Sequence, residues 1–210
     1  MIRVLIVDDH PVVIQGIKHI LADEADIVVV DEAHTGQLAL EKARKAALDV
    51  ILLDIGLPGR QGLEVLAQLK SEHPKLPILI VSMYPEEDYA LRSLKAGASG
   101  YLNKARAPED LIGAIRKVAA GRKFISEALG EHLASYVGGD TQKPPHESLT
   151  DREFMVFQMI ASGMTITEIS IELSLSVKTV STYRTRLLAK MQMKNNADII
   201  HYGITNKLLQ

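Results

Sequence analysis

The sequence predicts two domains: an α/β domain built on a doubly wound, five-stranded parallel sheet, then an all-α domain of four helices containing a helix-turn-helix. Three observations predict this. Apolar runs of strand length alternate five times with helix-period segments before residue 121, which implies parallel strands with helices on both faces. The stretch GGDTQKPPHES, Gly138–Ser148, then interrupts the pattern with paired Gly and paired Pro, the chemistry of a linker. Beyond it, two capping boxes open helices. The expected divisions are residues 1–121, a linker over 122–148, and residues 149–210.

Composition narrows the function classes. A chain of 210 residues that is 47% hydrophobic and 24% charged has the balance of a soluble globular protein. The absence of cysteine excludes disulfide and thiolate chemistry and fits a reducing cytoplasm. The apolar run in MIRVLIVDDH is far too short for a signal peptide or a membrane span, and acids close it. A net charge of −2 argues against general nucleic-acid coating, so any basic surface must be local.

The elements follow in order. Ile2–Val7 is nearly all apolar, as a strand buried on both faces should be, and Asp8 and Asp9 end it. Pro11 opens a helix with the stripe Val13, Ile14, Ile17, Ile20 and Leu21. Ile27–Val30 is a second strand, followed by a helix around Gln37–Lys45. Val50–Leu53 is a third strand that ends in Asp54; the loop Leu57-Pro58-Gly59 leads to a helix entered at Gly62 with Leu63, Val65, Leu66 and Leu69 inside. Pro77–Val81 ends in Ser82 and precedes a helix over Glu86–Leu94. Gly100–Leu102, then Asn103-Lys104, completes the set, and Pro108 starts a helix through about Ala120.

On this map Asp8, Asp9, Asp54, Ser82 and Lys104 all stand at strand carboxyl ends, where open α/β sheets bind ligands. Three neighbouring carboxylates repel, and a hard divalent cation relieves them; Mg²⁺ suits an oxygen-only set. A Lys charge and a Ser hydroxyl suit a tetrahedral oxyanion such as a phosphoryl group. The first strand is followed by Asp8-Asp9-His10 rather than the glycines of a dinucleotide site. A haloacid-dehalogenase-type phosphatase would carry an acid two residues after its nucleophile, where this chain has Gly56. A phosphoaspartate without that group hydrolyses slowly, which suits a signal.

The motifs VDDH (Val7–His10), LLDIGLPGRQG (Leu52–Gly62), VSMY (Val81–Tyr84) and GASGYLNK (Gly97–Lys104) resemble the receiver domain of two-component response regulators. The resemblance implies a flavodoxin-like (CheY-like) fold and a phosphoryl group accepted at Asp54 from a histidine kinase. It implies Mg²⁺ held by Asp9, Asp54 and the backbone carbonyl of Gly56, with Asp8 nearby. It also implies a switch pair, Ser82 and Tyr101, and a phosphate contact from Lys104. Such a receiver catalyses only its own phosphoryl transfer and slow dephosphorylation and is not otherwise an enzyme.

After residue 121 the pattern breaks over Gly121–Phe124, and Ser126 can cap a short helix over Ser126–Val137. Thr150-Asp151-Arg152-Glu153 is a capping box opening a helix with Phe154, Phe157, Ile160 and Ala161 on one face, ended by Gly163. Thr165–Glu168 is a second box, opening a short helix with Ile166, Ile169 and Leu173 inside; Leu175 fills the turn. Ser176 caps a third helix to about Met191, and a fourth covers Ala197–Leu208. In the third helix Val177, Val180, Leu187, Leu188 and Met191 fit the core side, while Lys178, Ser181, Thr182, Thr185 and Arg186 point away. From Ser174 to Lys194 the charges are Lys178, Arg184, Arg186, Lys190 and Lys194 with no acid, the footprint of a phosphate-backbone contact.

LTDREFMVFQMIASG (Leu149–Gly163) and TEISIELSLSVKTVSTYRTRLLAKM (Thr167–Met191) resemble the DNA-binding domain of the LuxR/NarL (FixJ) class. The resemblance implies that Lys178–Arg186 enter the major groove. Ser181, Thr182 and Thr185 would then touch bases, and Lys178, Arg184, Arg186 and Lys190 would hold phosphates. Tyr183 stands where the class often has His and suits packing or a phosphate contact. Dimerisation is expected through the last helix, at Ala197, Ile200, Ile204 and Leu208. The expected whole is a cytoplasmic transcriptional response regulator with no membrane contact. Once phosphorylated it would bind inverted-repeat promoter DNA as a homodimer; the alternative is a receiver module acting mainly through protein–protein contacts.

Overall fold

The computed structural model describes residues 1–58, 62–105, 108–127, 129–131, 144–206 and 208. The chain divides into two compact units, Met1–Gly138 and Gly139–Gln210, at a point inside the expected linker.

In the first unit five parallel strands, β1 (Ile2–Val7), β2 (Ile27–Ala33), β3 (Val50–Leu53), β4 (Ile78–Ser82) and β5 (Gly100–Asn103), lie in the order β2-β1-β3-β4-β5. The helices are α1 (Pro11–Leu21), α2 (Gly36–Lys45), α3 (Gly62–Glu72), α4 (Glu86–Lys95) and α5 (Pro108–Ala119). All four residues of β3 and all five of β4 are buried, as central strands covered on both faces require. Alternate residues face opposite sides. Val4, Ile6, Leu52, Leu79 and Leu102 form one core with Ile14, Ile17 and Leu21 of α1 and Ala114, Ile115 and Val118 of α5. Burying each of the large aliphatic side chains there contributes about 1.5–3 kcal/mol.

The strand order reverses direction between β1 and β3, which is where a doubly wound sheet opens a crevice. Register brings the chemistry to it: Val7 pairs with Leu53, so Asp8 and Asp54 leave the sheet side by side. Ser82 pairs with Asn103, which sets Lys104 beyond the same edge. After β3 the chain folds back so tightly that a Cβ on Gly62 would lie 2.3 Å from the Asp54 carbonyl oxygen and 2.4 Å from Ile55 Cα. Only glycine fits there. Gly59, Arg60 and Gln61 of the motif lie outside the described residues.

The strands and helices match the expected ones within a residue or two at most ends; β2 runs on to Ala33, past the expected Val30. The larger difference lies after α5. Phe124 donates its N–H to the Ser99 carbonyl at 2.9 Å and bridges Gly100, so it extends the sheet instead of starting a free linker. Ser126 Oγ accepts from Leu129 N at 3.1 Å, the cap expected of a helix there. Residues 132–143 lie outside the described residues.

The second unit holds a 3₁₀ turn (Pro145–Ser148) and helices α6 (Asp151–Ala161), α7 (Ile166–Glu172), α8 (Val177–Met191) and α9 (Asn196–Thr205). Both capping boxes are present, Thr150 with Glu153 and Thr165 with Glu168. Gly163 adopts φ 92° where α6 ends, the left-handed conformation that favours glycine. Phe154, Phe157, Ile160, Ile169, Val180, Leu187 and Ile199 are buried together with Met155 and Val156. The expected linker also ends early on this side, because the His146 ring nitrogen Nδ1 lies 2.9 Å from the Tyr202 hydroxyl. Among the described residues no helix is long and apolar enough to cross a membrane.

Candidate functional site

The crevice at the carboxyl ends of β1, β3, β4 and β5 gathers the predicted set. Asp8 and Asp54 are buried, and Asp9 and Lys104 are half-buried beside them. Lys104 Nζ lies 2.6 Å from Asp8 Oδ2 and 2.8 Å from Asp54 Oδ2. Burial alone would lower the Lys104 pKa, but the charges and hydrogen bonds of Asp54 and Asp8 outweigh it, and the pKa stands raised. One cation against three carboxylates leaves the crevice anionic. Asp54 Oδ1 is also buried without a hydrogen-bond partner among the described residues, an arrangement that costs free energy until a cation or donor arrives.

That crevice fits a hard divalent cation. Asp8, Asp9, His10 and Asp54 each present an atom within 4.8 Å of the others. His10 was not foreseen as a neighbour; its N–H donates to Asp8 Oδ1 at 2.9 Å and its Nδ1 stands 2.8 Å from Asp9 Oδ1. Only its place directly after Asp9 could have signalled this. Gly56 sits on the lip, where a Cβ would lie 3.4 Å from Asp54 Oδ2.

Ser82 and Tyr101 come together as well. Both are fully buried. The Tyr101 hydroxyl donates to the Tyr84 carbonyl at 2.8 Å, and Asn103 Nδ2 donates to the same oxygen at 3.2 Å. Burial pushes the Tyr101 phenol well above its ordinary pKa, against the opposing pull of a hydrogen bond with Ser82. Asn103 was noted in the sequence only as a neighbour of Lys104; its tie to the loop after β4 depends on strand pairing.

The second unit presents a cationic helix. On α8 Lys178, Ser181, Thr182, Thr185 and Arg186 are exposed, as expected. Val177 is a correction: it is 48% exposed, because it begins the helix ahead of the turn that reaches the core. Tyr183 and Arg184 are half-buried, and Arg184 Nε donates to Asn196 Oδ1 at 2.6 Å, which ties α8 to the start of α9. Lys190 Nζ lies 2.6 Å from Glu153 Oε2. Along α9, Ala197 and Ile204 are exposed and Ile200 is half-buried. Leu208 departs from that stripe: it is 8% exposed, and its N–H donates to the Gly203 carbonyl, folding the chain back after the helix.

Comparison with known proteins agrees with both units. Residues 4–116 match the response regulator receiver domain family, and residues 147–203 match the bacterial regulatory proteins of the luxR family. The chain is 36% identical over 209 residues to the response regulator UvrY of Escherichia coli, covering 99% of this chain and 96% of UvrY. It is similar to RcsB of Salmonella enterica serovar Typhimurium solved on the rprA promoter with phosphomimetic BeF3⁻. That match has a TM-score of 0.67 and 25% identity, over 96% of this chain and 97% of that one. Another structure, of two RcsB dimers bound to two parallel DNAs, matches with a TM-score of 0.60 and 26% identity over 96% of each chain. A receiver crevice, a LuxR-type helix-turn-helix and full-length relatives that carry both place this chain in the NarL/FixJ family of two-component response regulators, which are DNA-binding transcription regulators.

Proposed function

We propose that Asp54 is the phosphoacceptor of this regulator, phosphorylated by a partner histidine kinase, and that its phosphorylation drives dimeric binding to inverted-repeat promoter DNA. The observation that carries the reading is the Lys104 bridge between Asp8 and Asp54 inside a crevice where Asp54 Oδ1 has no hydrogen-bond partner among the described residues. Asp8, Asp9, Asp54 and the Gly56 carbonyl would hold Mg²⁺, which supplies charge neutralisation for an incoming phosphoryl group. Asp54 supplies the nucleophilic oxygen, and Lys104 pairs with the dianion that results.

The switch follows from the same residues. Tyr101, half of the expected switch pair, is already inward and bonded to the Tyr84 carbonyl. A phosphoryl group on Asp54 therefore acts by stabilising this arrangement over alternatives, with Ser82 and Lys104 as its partners, and so shifts a population. The RcsB structures support the downstream step, since that protein is bound to DNA as dimers and with a phosphoryl mimic. Here Lys178, Arg184 and Arg186 would hold phosphates and Ser181, Thr182 and Thr185 would meet base edges, with Ala197, Ile200 and Ile204 at the dimer contact.

The experiment is a genomic-fragment pull-down with the purified chain, with and without beryllofluoride and Mg²⁺, beside Asp54→Asn. Enrichment of inverted-repeat fragments that needs the mimic and is lost in Asp54→Asn is the expected result. Equal enrichment in all three samples would remove the phosphoryl switch. No enrichment in any would favour protein partners as the output.

A further inference from the structure

We propose that Lys190 is a positioning residue that holds the recognition helix to α6 through Glu153, and that its charge is spent there rather than on DNA phosphate. This rests on the DNA-binding reading of α8 and changes which of its cations count. The resemblance groups Lys190 with Lys178, Arg184 and Arg186 as phosphate contacts; the fold separates them.

Glu153 is 2% exposed. Its Oε2 accepts from the Thr150 N–H at 2.8 Å, closing the capping box that starts α6, and from Lys190 Nζ at 2.6 Å. A carboxylate taken so far out of water needs a cation, and removing that cation leaves a buried, uncompensated charge. Lys190 meets that need from the fourth turn of α8, its ammonium at the start of α6 while its side chain stays 39% exposed. Buried Leu187, Leu188 and Met191 flank it on the same turn. Lys178, Arg186 and Lys190 itself are all exposed; what sets Lys190 apart is its ion pair with the buried Glu153 carboxylate. Displacing an ammonium from a buried partner to reach a phosphate would strand Glu153, which opposes any such exchange.

Counterion release turns this into a measurement. Each phosphate neutralised by a side chain adds about 1 to the magnitude of the slope of log affinity against log salt. The full chain is titrated with a short duplex of arbitrary sequence over a salt series. Lys178→Gln is expected to lower the slope by about 1. Lys190→Gln is expected to weaken binding several-fold at every salt concentration with the slope unchanged. Adding Glu153→Gln to it, which removes the stranded charge, is expected to restore the affinity. A doubly neutralised protein whose slope falls by about 1 would overturn the proposal.

Lysine acylation of the wild-type chain, with and without the duplex, gives a second readout that needs no variant to fold. Lys178 should be protected by DNA and Lys190 should label at the same rate in both samples; equal protection of the two would again overturn it. A wild-type chain that binds the duplex with no salt dependence defeats the DNA-binding reading itself, and this proposal falls with it.

Discussion

Lys104 and Asp54, fifty positions apart in sequence, meet at 2.8 Å, and the same ammonium reaches Asp8 at 2.6 Å. A cation from the protein thus sits on two of the carboxylates that would hold a metal ion. Under the proposed function the two would compete for Asp8 and Asp54, yet both would favour a phosphoryl group.

The competition predicts effects of opposite sign in one variant. Lys104→Met is expected to tighten Mg²⁺ binding, read as a larger rise in melting temperature per step of Mg²⁺. The same change should weaken beryllofluoride binding by tenfold or more, since a charge-assisted contact contributes roughly 1.5–3 kcal/mol. In wild type, Mg²⁺ at about 100 times its dissociation constant should stabilise the chain by about 2.7 kcal/mol. Calorimetry that found weaker Mg²⁺ binding in Lys104→Met would show that the Lys orders the carboxylates rather than competing for them.

Two glycines offer a matched test of tight packing. Gly62→Ala drives a Cβ into the Asp54 and Ile55 backbone, and the loop must shift. It should destabilise by about 1–3 kcal/mol or more and impair phosphorylation of Asp54. Gly113, within α5, has nothing within 4 Å of where a Cβ would stand, so Gly113→Ala should stabilise by roughly 0.5–1 kcal/mol. Urea unfolding of both variants would decide it; equal effects would contradict the account.

Alkaline pH should unfold the first unit through its buried tyrosines. Tyr89 and Tyr101 are fully buried, and burial raises both phenol pKa values well above the ordinary 10. A raised folded-state pKa gives stability that is intact below the unfolded value and lost as pH rises past it, because the unfolded chain ionises first. Stability should therefore hold to about pH 9 and fall beyond pH 10, at up to about 1.4 kcal/mol per pH unit for each phenol. Tyr101→Phe should flatten that fall. It should also cost about 1 kcal/mol at neutral pH, where the Tyr84 carbonyl loses its closest donor. Denaturant melts at pH 8, 10 and 11 would check both, and an unchanged alkaline slope in Tyr101→Phe would exclude its phenol as the cause.

Local physics alone determined much of this protein. Strand ends, both capping boxes, the Ser176 cap and the glycine stop at Gly163 depend on neighbours within a few residues, so the chain states them directly. The alternation of five strands and helices then allowed only a parallel sheet, and a parallel sheet brings Asp8, Asp54, Ser82 and Lys104 to one edge. What only tertiary structure decided are the relations between residues far apart in sequence. Phe124 belongs to the sheet because Gly100 leaves it room, and Tyr101 is already inside, its hydroxyl bonded to the Tyr84 carbonyl. Lys190, one of four like charges on the helix by sequence, is set apart by Glu153 on another helix. A side chain's type and period say which face it prefers, but whether its charge is free depends on which buried partner the fold brings within reach.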